Sequence, residues 1–591
     1  MLIDRFLGWL TGRRSTSNGS RKQKFLVICH GGDAQGMRVL TNICVCLEHC
    51  KVSYVVLDLA LGSAWPELNG FSSVVLSTDR IGGLDGGKSL ELQEFCNAGG
   101  GLAVVHRAWS PEIAELIGLG AADTAPALVE AKGFHCHAEV IPLATGLYFN
   151  NEAWIHGRYD IDAGALSADC EILVSDTQGY PLCWKREVGG TRVVFWNTNL
   201  LQSRRMRGFL VQTIFDTVEI GVRALAGFAM LHIDDYPPSE SIARQEPAVT
   251  EYGLSANDFI RDVWLVDMLD LRARYGLKYS WYMIADYADP DGVDFEVDSA
   301  LQESRFADRI NELSRVPSDD EIGFHGYNHT PMLERYWPDP AATRKKLERA
   351  RSLWSAAAEL PLPVSWVPAS NWYNAAQIRE VARVFPEISA VCSSYTSGSL
   401  LLGQFREFGT EAWEPSMLCL PRETYGHVQD AITRLAMASQ VASLGIWTHF
   451  LHPDDIFDRP GDGGEGSRNP LAQNWKRPNA DNQPGLYQSF ECWIDEVTRA
   501  YPWLDFLTTS EATETYRKHA ARKMDVETTG DGVRISTSSP GLFYVNSSKQ
   551  VTLSAEAPCE IVSQTETASG MLSAVQCLPG INRIEVIQRR S

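Results

Sequence analysis

Twice along this 591-residue chain, short runs of β-branched and apolar residues alternate with helical periods, and that alternation limits the fold more than any other feature. Between 24 and 197 the strand-like runs are KFLVIC, VSYVVLDL, SSVVLST, GLAVVH, CEILVSD, PLCWKRE and TRVVFWN, with MRVLTNICVCLEH and SLELQEFCNA as helical stretches among them. Continuous apolar strands separated by helices belong to a parallel sheet covered on both faces. A doubly wound α/β domain is therefore expected over 24–224, closed by a helix over RMRGFLVQTIFDTVEIGVRAL. The alternation resumes with AGFAMLHIDD, KYSWYMIADY, EIGFHGYNH, VSWVPAS, ISAVCSSY, SMLCLPRE and SLGIWTHFLHPDD. Seven strands over 225–520, with polar residues gathered at their ends, predict a βα barrel whose chemistry lies at the C-terminal strand ends. The last stretch, 521–591, changes to GVRISTS, GLFYVNS, QVTLSAE, CEIVSQ and NRIEVIQ, the pattern of a small β-sandwich.

Residues 1–23 read as a tail and linker. In MLIDRFLGWLTGRRS, Asp4 and Arg5 interrupt what would be the apolar core of a secretory signal, and no small-residue cleavage site follows. The expectation is a cytoplasmic chain, with Leu2, Ile3, Phe6, Leu7, Trp9 and Leu10 forming an apolar face, backed by Arg13 and Arg14, for a membrane surface or polysaccharide-biosynthesis machinery. A net charge of -21 repels phosphate backbones, which excludes nucleic acid as a partner. The 13 cysteines lack metal-ligand spacing, and most sit in apolar runs (Cys29, Cys44, Cys183, Cys419) as small hydrophobes, a usage suited to a reducing compartment.

The first domain is similar to the glutamine-amidotransferase or flavodoxin-like class, especially at NAGGGLAVVHRAW. Where an active amidotransferase would carry a nucleophilic thiol, this strand ends in His106-Arg107-Ala108, so amidotransferase chemistry is not expected. The loop HGGDAQG lacks the P-loop Lys-Ser/Thr and reads as a turn. The domain is expected to be structural or ligand-sensing.

The chemistry concentrates in the barrel. In LHIDDYP, Asp234 and Asp235 follow an apolar strand; neighbouring side chains on an extended backbone diverge, so the two carboxylates should serve different roles. In EIGFHGYNH, His325 and His329 stand four apart, the spacing that puts two imidazoles on one face of a helical turn. One Asp and two His with an open fourth position are the donor set of a catalytic zinc site. In WTHFLHPDD, His449 and His452 lie where the last strand should end, and either could protonate a departing amine. Tyr327, Trp372, Tyr373 and Trp413 lie near strand ends as candidate platforms for sugar rings.

The order strand-Asp-Asp, HxxxH, strand-Pro, late strand-His over 225–520 resembles the polysaccharide deacetylase superfamily (carbohydrate esterase family 4 and relatives). The resemblance implies a distorted (β/α)7 barrel, one divalent metal, usually zinc, and removal of N-acetyl groups from amino sugars of an N-acetylated glycan. It implies Asp234 as general base, Asp235, His325 and His329 as metal ligands, and His452 as catalytic acid, with His449 as fallback. Two motifs depart from the family: His232-Ile233 replace Thr-Phe before the Asp pair, and Trp366 stands where Arg should precede Pro368. Arg422, in LPRETYGH, is the candidate to supply that missing charge. The domain order is similar to Pel-type exopolysaccharide deacetylases, which suggests a bacterial exopolysaccharide context. Two other classes fit less of the pattern: a carbohydrate-binding or assembly protein that kept the metal site without turnover, and a glycoside hydrolase, whose two carboxylates need a separation of about 5–9.5 Å that adjacent Asp234 and Asp235 do not offer.

Overall fold

The computed structural model describes residues 21–589, apart from 83, 85, 121–123, 190, 240–241, 243, 289–298, 358–359, 396–405, 462–465 and 549–550. The apolar tail face at 2–10 lies outside the described residues. Among those described, no helix is long and apolar enough to cross a membrane.

The first half is built on a nine-stranded sheet. Its parallel part runs in the order β2 (Ser53–Asp58), β1 (Lys24–Cys29), β3 (Ser73–Leu76), β4 (Gly101–Val104), β5 (Thr191–Trp196). The KFLVIC run is central because Phe25 to Cys29 are all buried, as two-sided coverage of a parallel strand demands. Beyond β5 the sheet turns antiparallel through Pro181–Val188 and Glu171–Ser175.

Helix α1 (Ala34–His49) starts on Asp33, whose carboxylate accepts from the backbone N–H groups of Gln35 and Gly36, so the HGGDAQG loop is a turn that ends in a helix cap. The long helix expected over 205–225 is instead α2 (Arg207–Asp216) followed by a strand, Ile220–Leu225. The β-branched, Gly-containing sequence after Asp216 favours extended backbone, and Ile220–Leu225 pairs with Gly541–Ser548 in the C-terminal sandwich.

The second half carries a curled half-barrel sheet. Seven of its parallel strands are β6 (Phe228–Asp234), β7 (Tyr279–Ile284), β8 (Glu321–Gly326), β9 (Ser365–Trp366), β10 (Ala390–Val391), β11 (Leu418–Cys419) and β12 (Ile446–Leu451), with β12 beside β6. Each lies within one of the seven runs read from the sequence. Among the described residues the ladder does not close on itself: Gly409–Thr410 and Thr424–Tyr425 occupy its two ends.

Helix α3 (Ala431–Leu444) connects the halves. It is buried at every residue from Leu435 to Leu444 because one side packs the half-barrel sheet and the other packs α2. The approach is close enough to require glycine: a Cβ on Gly208 would meet Ser439 Cα at 2.6 Å, and the Gly208 N–H donates to Ser439 Oγ at 2.8 Å. The C-terminal module is two antiparallel sheets of five and four strands, which recruit Arg21–Lys22 and Ile220–Leu225 from far earlier in the chain.

Candidate metal centre and the cleft around it

Strand β6 ends by aiming two consecutive carboxylates in different directions. Asp234 keeps extended backbone inside the strand, whereas Asp235 adopts φ +58°, a left-handed conformation that Asp tolerates better than most residues. The turn swings Asp235 toward β8, where His325 Nε2 lies 3.5 Å from one of its oxygens and His329 Nε2 3.4 Å from the other. The three ligand atoms lie within 4.8 Å of one another.

The histidine pair is not on a helical turn. His325 belongs to β8, and the chain then bends through Gly326, whose φ of +137° is a conformation L side chains rarely adopt. That bend carries His329 back beside His325, with ring centroids 5.3 Å apart.

The donor set fits a divalent cation. His325 Nδ1 donates to the Val367 carbonyl at 2.8 Å, which fixes the tautomer and turns a bare Nε2 toward Asp235. That Nε2 is buried and has no hydrogen-bond partner. Burial lowers the pKa of His325, which keeps Nε2 an acceptor. Burial also pushes Asp235 upward, yet His329 and His325 more than reverse this and leave it well below the ordinary carboxylate range. The Tyr287 phenol donates to Asp235 at 2.7 Å and completes its support.

Asp234 is held separately. Arg422 Nη1 reaches both its oxygens, at 2.8 and 2.6 Å, and each side chain is almost wholly buried. The guanidinium lies flat over Phe450 at 3.8 Å, while its Nε donates to Asn371 at 3.1 Å. Thus the segment after β9 supplies an acceptor, and the cation arrives from beyond β11. Burial raises the pKa of Asp234, but Arg422, followed by His325 and His452, brings it below its ordinary value.

On the far side of Asp234, His452 Nε2 lies 3.8 Å away. Its Nδ1 is 3.1 Å from Asp455, which also accepts the His452 backbone N–H and contacts Arg468 and His427. Burial works against the charged ring, but Asp455 outweighs it and raises the pKa to about 9. Asp234, Asp235, His325, His329, Arg422 and His452 line one cleft of about 640 Å³, together with Tyr287, Ile242, Arg244, Phe450, Phe457 and Arg468.

Several expected site residues lie elsewhere. His449 is fully buried against Phe490 and Trp493, bonded to Thr424, with burial lowering its pKa to about 3, so it does not reach the cleft. Tyr327 and Tyr373 are buried in the core, where their hydroxyls meet Gln302 and Glu411. Trp413 is partly buried against Tyr373 and Arg406, and Trp372 is half-buried beneath Arg335. None of the four lines the cleft, whose ring surfaces are Tyr287, Phe450 and Phe457. Asn371, Tyr287, Asp455 and Arg468 escaped the sequence reading; Tyr287 and Asp455 carried a signal, as the last residues of the quoted runs KYSWYMIADY and WTHFLHPDD.

A second group of ligand-type side chains, Asp33, Asp79 and His106, meets at the C-terminal edge of β1, β3 and β4. Here Arg107 Nη2 already lies 3.2 Å from Asp79, 3.5 Å from His106 Nε2 and 3.0 Å from Gln35 Oε1. The guanidinium thus contacts two of the three side chains, Asp79 and His106, from within the chain.

A family model described as "Uncharacterised protein conserved in bacteria (DUF2194)" matches residues 21–567, and the chain belongs to that family. No curated protein sequence matches it. Among solved structures, a "putative polysaccharide deacetylase" from Mycobacterium smegmatis aligns over 49% of this chain and 90% of its own, at 16% identity and a TM-score of 0.31. A "thua-like protein" from Parabacteroides merdae aligns over 33% and 90%, at 13% identity and 0.24. A 4-alpha-glucanotransferase from Thermococcus litoralis aligns over 49% and 39%, at 10% identity and 0.26. At these scores the reading of the cleft rests on its own geometry.

Proposed function

We propose that this protein is a metal-dependent deacetylase acting on N-acetylated amino sugars of a glycan, in our reading a bacterial exopolysaccharide. The observation that carries the proposal is the juxtaposition of a bare, oriented His325 Nε2, facing Asp235 and His329, with a separate ionised carboxylate and a charged imidazole in one cleft. A divalent cation, zinc in our reading, held by Asp235, His325 and His329 would activate water and polarise the acetamide carbonyl. Asp234, ionised through Arg422, accepts the proton of the attacking water. His452, charged through Asp455, gives its proton to the departing amine. Arg422 and Asn371 keep the base from rotating away, a positioning role.

The test is metal content and acetate release from N-acetylated oligosaccharides. Asp234→Asn preserves shape and removes the base, so release should fall by about 10²–10⁴-fold with metal content unchanged. Full activity in that variant would sink the assignment. Metal without any acetate release in the unaltered protein would favour a carbohydrate-binding protein instead.

The pH profile has a stated sign. His452 acts only while charged, and the groups around it are Asp455, Arg468, Asp234 and His427. Release should therefore fall as pH rises through about 9. In Asp455→Asn that limb should move down toward the ordinary imidazole value of about 6.5. A limb that stays in place would remove His452 from the acid role. The folded pKa is raised, so the stability this ring contributes is complete below about 6.5 and is lost as pH rises through the folded value.

A further inference from the structure

The C-terminal sandwich buries two thiols against each other. Cys559 immediately precedes the strand Glu560–Thr567, and Cys577 ends the strand Gly570–Cys577. Their antiparallel register pairs Glu560 with Gln576, so one step outward sets Cys559 opposite Cys577. The two sulfurs are 3.5 Å apart. Directly opposed residues in an antiparallel pair have Cα atoms about 4.5–5.5 Å apart, inside the span of about 4.4–6.8 Å that a disulfide bridges. Bond formation needs the sulfurs to close by roughly 1.5 Å, which side-chain rotation supplies without moving the strands.

We propose that Cys559 and Cys577 form a redox modification site, closing to an intramolecular disulfide when the folded protein meets a small disulfide oxidant. The Cys559 thiolate attacks one sulfur of the oxidant and expels the other as a thiolate. Cys577 then gives up its proton, and its sulfur attacks Cys559 in the mixed disulfide, expelling the second half of the oxidant. Two protein thiols are oxidised, and two electrons and two protons leave with the oxidant as two thiols. Cys559 is the attacking group: it is 6% exposed against 0% for Cys577. The contact between the two thiols also holds Cys559 below and Cys577 above the ordinary thiol range.

The bond would fasten the base of a hairpin whose tip rests on the first half of the chain. Ala568, at that tip, donates its N–H to the Glu139 carbonyl at 2.8 Å, and its own carbonyl accepts from Lys185. Oxidation would therefore stiffen the link between the sandwich and the nine-stranded sheet, a role that contrasts with the expectation that most of the 13 cysteines serve as small hydrophobes.

The full-length protein would be incubated with oxidised glutathione, alkylated without reduction, and mapped by peptide mass spectrometry. The expected product is a linked Cys559–Cys577 peptide about 2 Da lighter than the sum of its free halves, lost on reduction with dithiothreitol and absent in Cys559→Ser. Cys492, which is exposed, reports glutathione adducts formed without an adjacent thiol. Separate alkylation of both cysteines, a glutathione adduct persisting on Cys559, or a bond from either residue to a third cysteine would each overturn the proposal. Hydrogen exchange of the unaltered protein before and after oxidation gives a second reading: slower exchange at 560–577 supports the brace, and unchanged exchange there overturns it.

Discussion

Replacing His325 with Ala should abolish metal binding, from about one ion per chain to near none, and lower acetate release by at least about 10³-fold. The size follows from the donor set. Asp235 and His329 alone leave two protein ligands where a catalytic site holds three, and His329 is 40% exposed, so it cannot compensate by enclosing the ion. The fold should survive, because His325 Nε2 has no protein partner to strand and only the Val367 carbonyl loses a donor. Elemental analysis beside a circular-dichroism melt checks both halves. A variant that keeps its metal would remove His325 from the ligand set, and with it the centre as drawn.

Arg422→Met should cost more in stability than any other single change at the cleft. The substitution leaves Asp234, 1% exposed, without its cation, and breaking a buried ion pair from one side costs about 3–5 kcal/mol. Asp234 would then be driven toward its protonated form, so acetate release should fall with stability. Arg422→Lys restores a charge but not the fork that spans Asp234 and Asn371, and should recover only part of either property. The double variant Arg422→Met/Asp234→Asn separates the causes. If the cost is the unpaired carboxylate, urea unfolding should show most of the loss recovered while activity stays absent. Equal destabilisation in the single and double variants would instead assign the loss to packing of the guanidinium on Phe450.

The limits of sequence reading are clear at this site. Seven strands of the half-barrel sheet were legible because each is an apolar run bounded by polar residues, and Asp234, Asp235, His325 and His329 stood out as ligand-type residues at strand ends. Spacing alone misplaced the backbone between His325 and His329: four residues apart suggests a helical turn, but Gly326 permits a bend that brings the rings together without one. The partner of Asp234 lies 188 positions away, and no local pattern marks a guanidinium that must cross from β11 to β6. Aromatic residues misled for a related reason. Tyr327 and Tyr373 sit beside strand ends in sequence, yet both are buried in the core, Tyr327 against the helix side chains Gln302 and Lys346 and Tyr373 against Trp366 and Trp413, while Phe450 and Phe457 line the cleft. At 205–225, apolar content pointed to one long helix, and the pairing of Ile220–Leu225 with a strand more than three hundred residues later was beyond any local signal.

That distant pairing bears on how the chain is made. Ile220–Leu225 emerges from the ribosome just before the barrel, but its neighbour Gly541–Ser548 emerges after it, so the strand must wait unpaired through the synthesis of everything between. An unsatisfied apolar strand edge is a template for the wrong partner, and distant partners close late. Stop codons or proteolytic nicks in the last fifty residues would therefore do more than trim a peripheral module. They would leave exposed the seam by which the nascent protein fastens its beginning to its end, and the natural outcome for such fragments is association with one another.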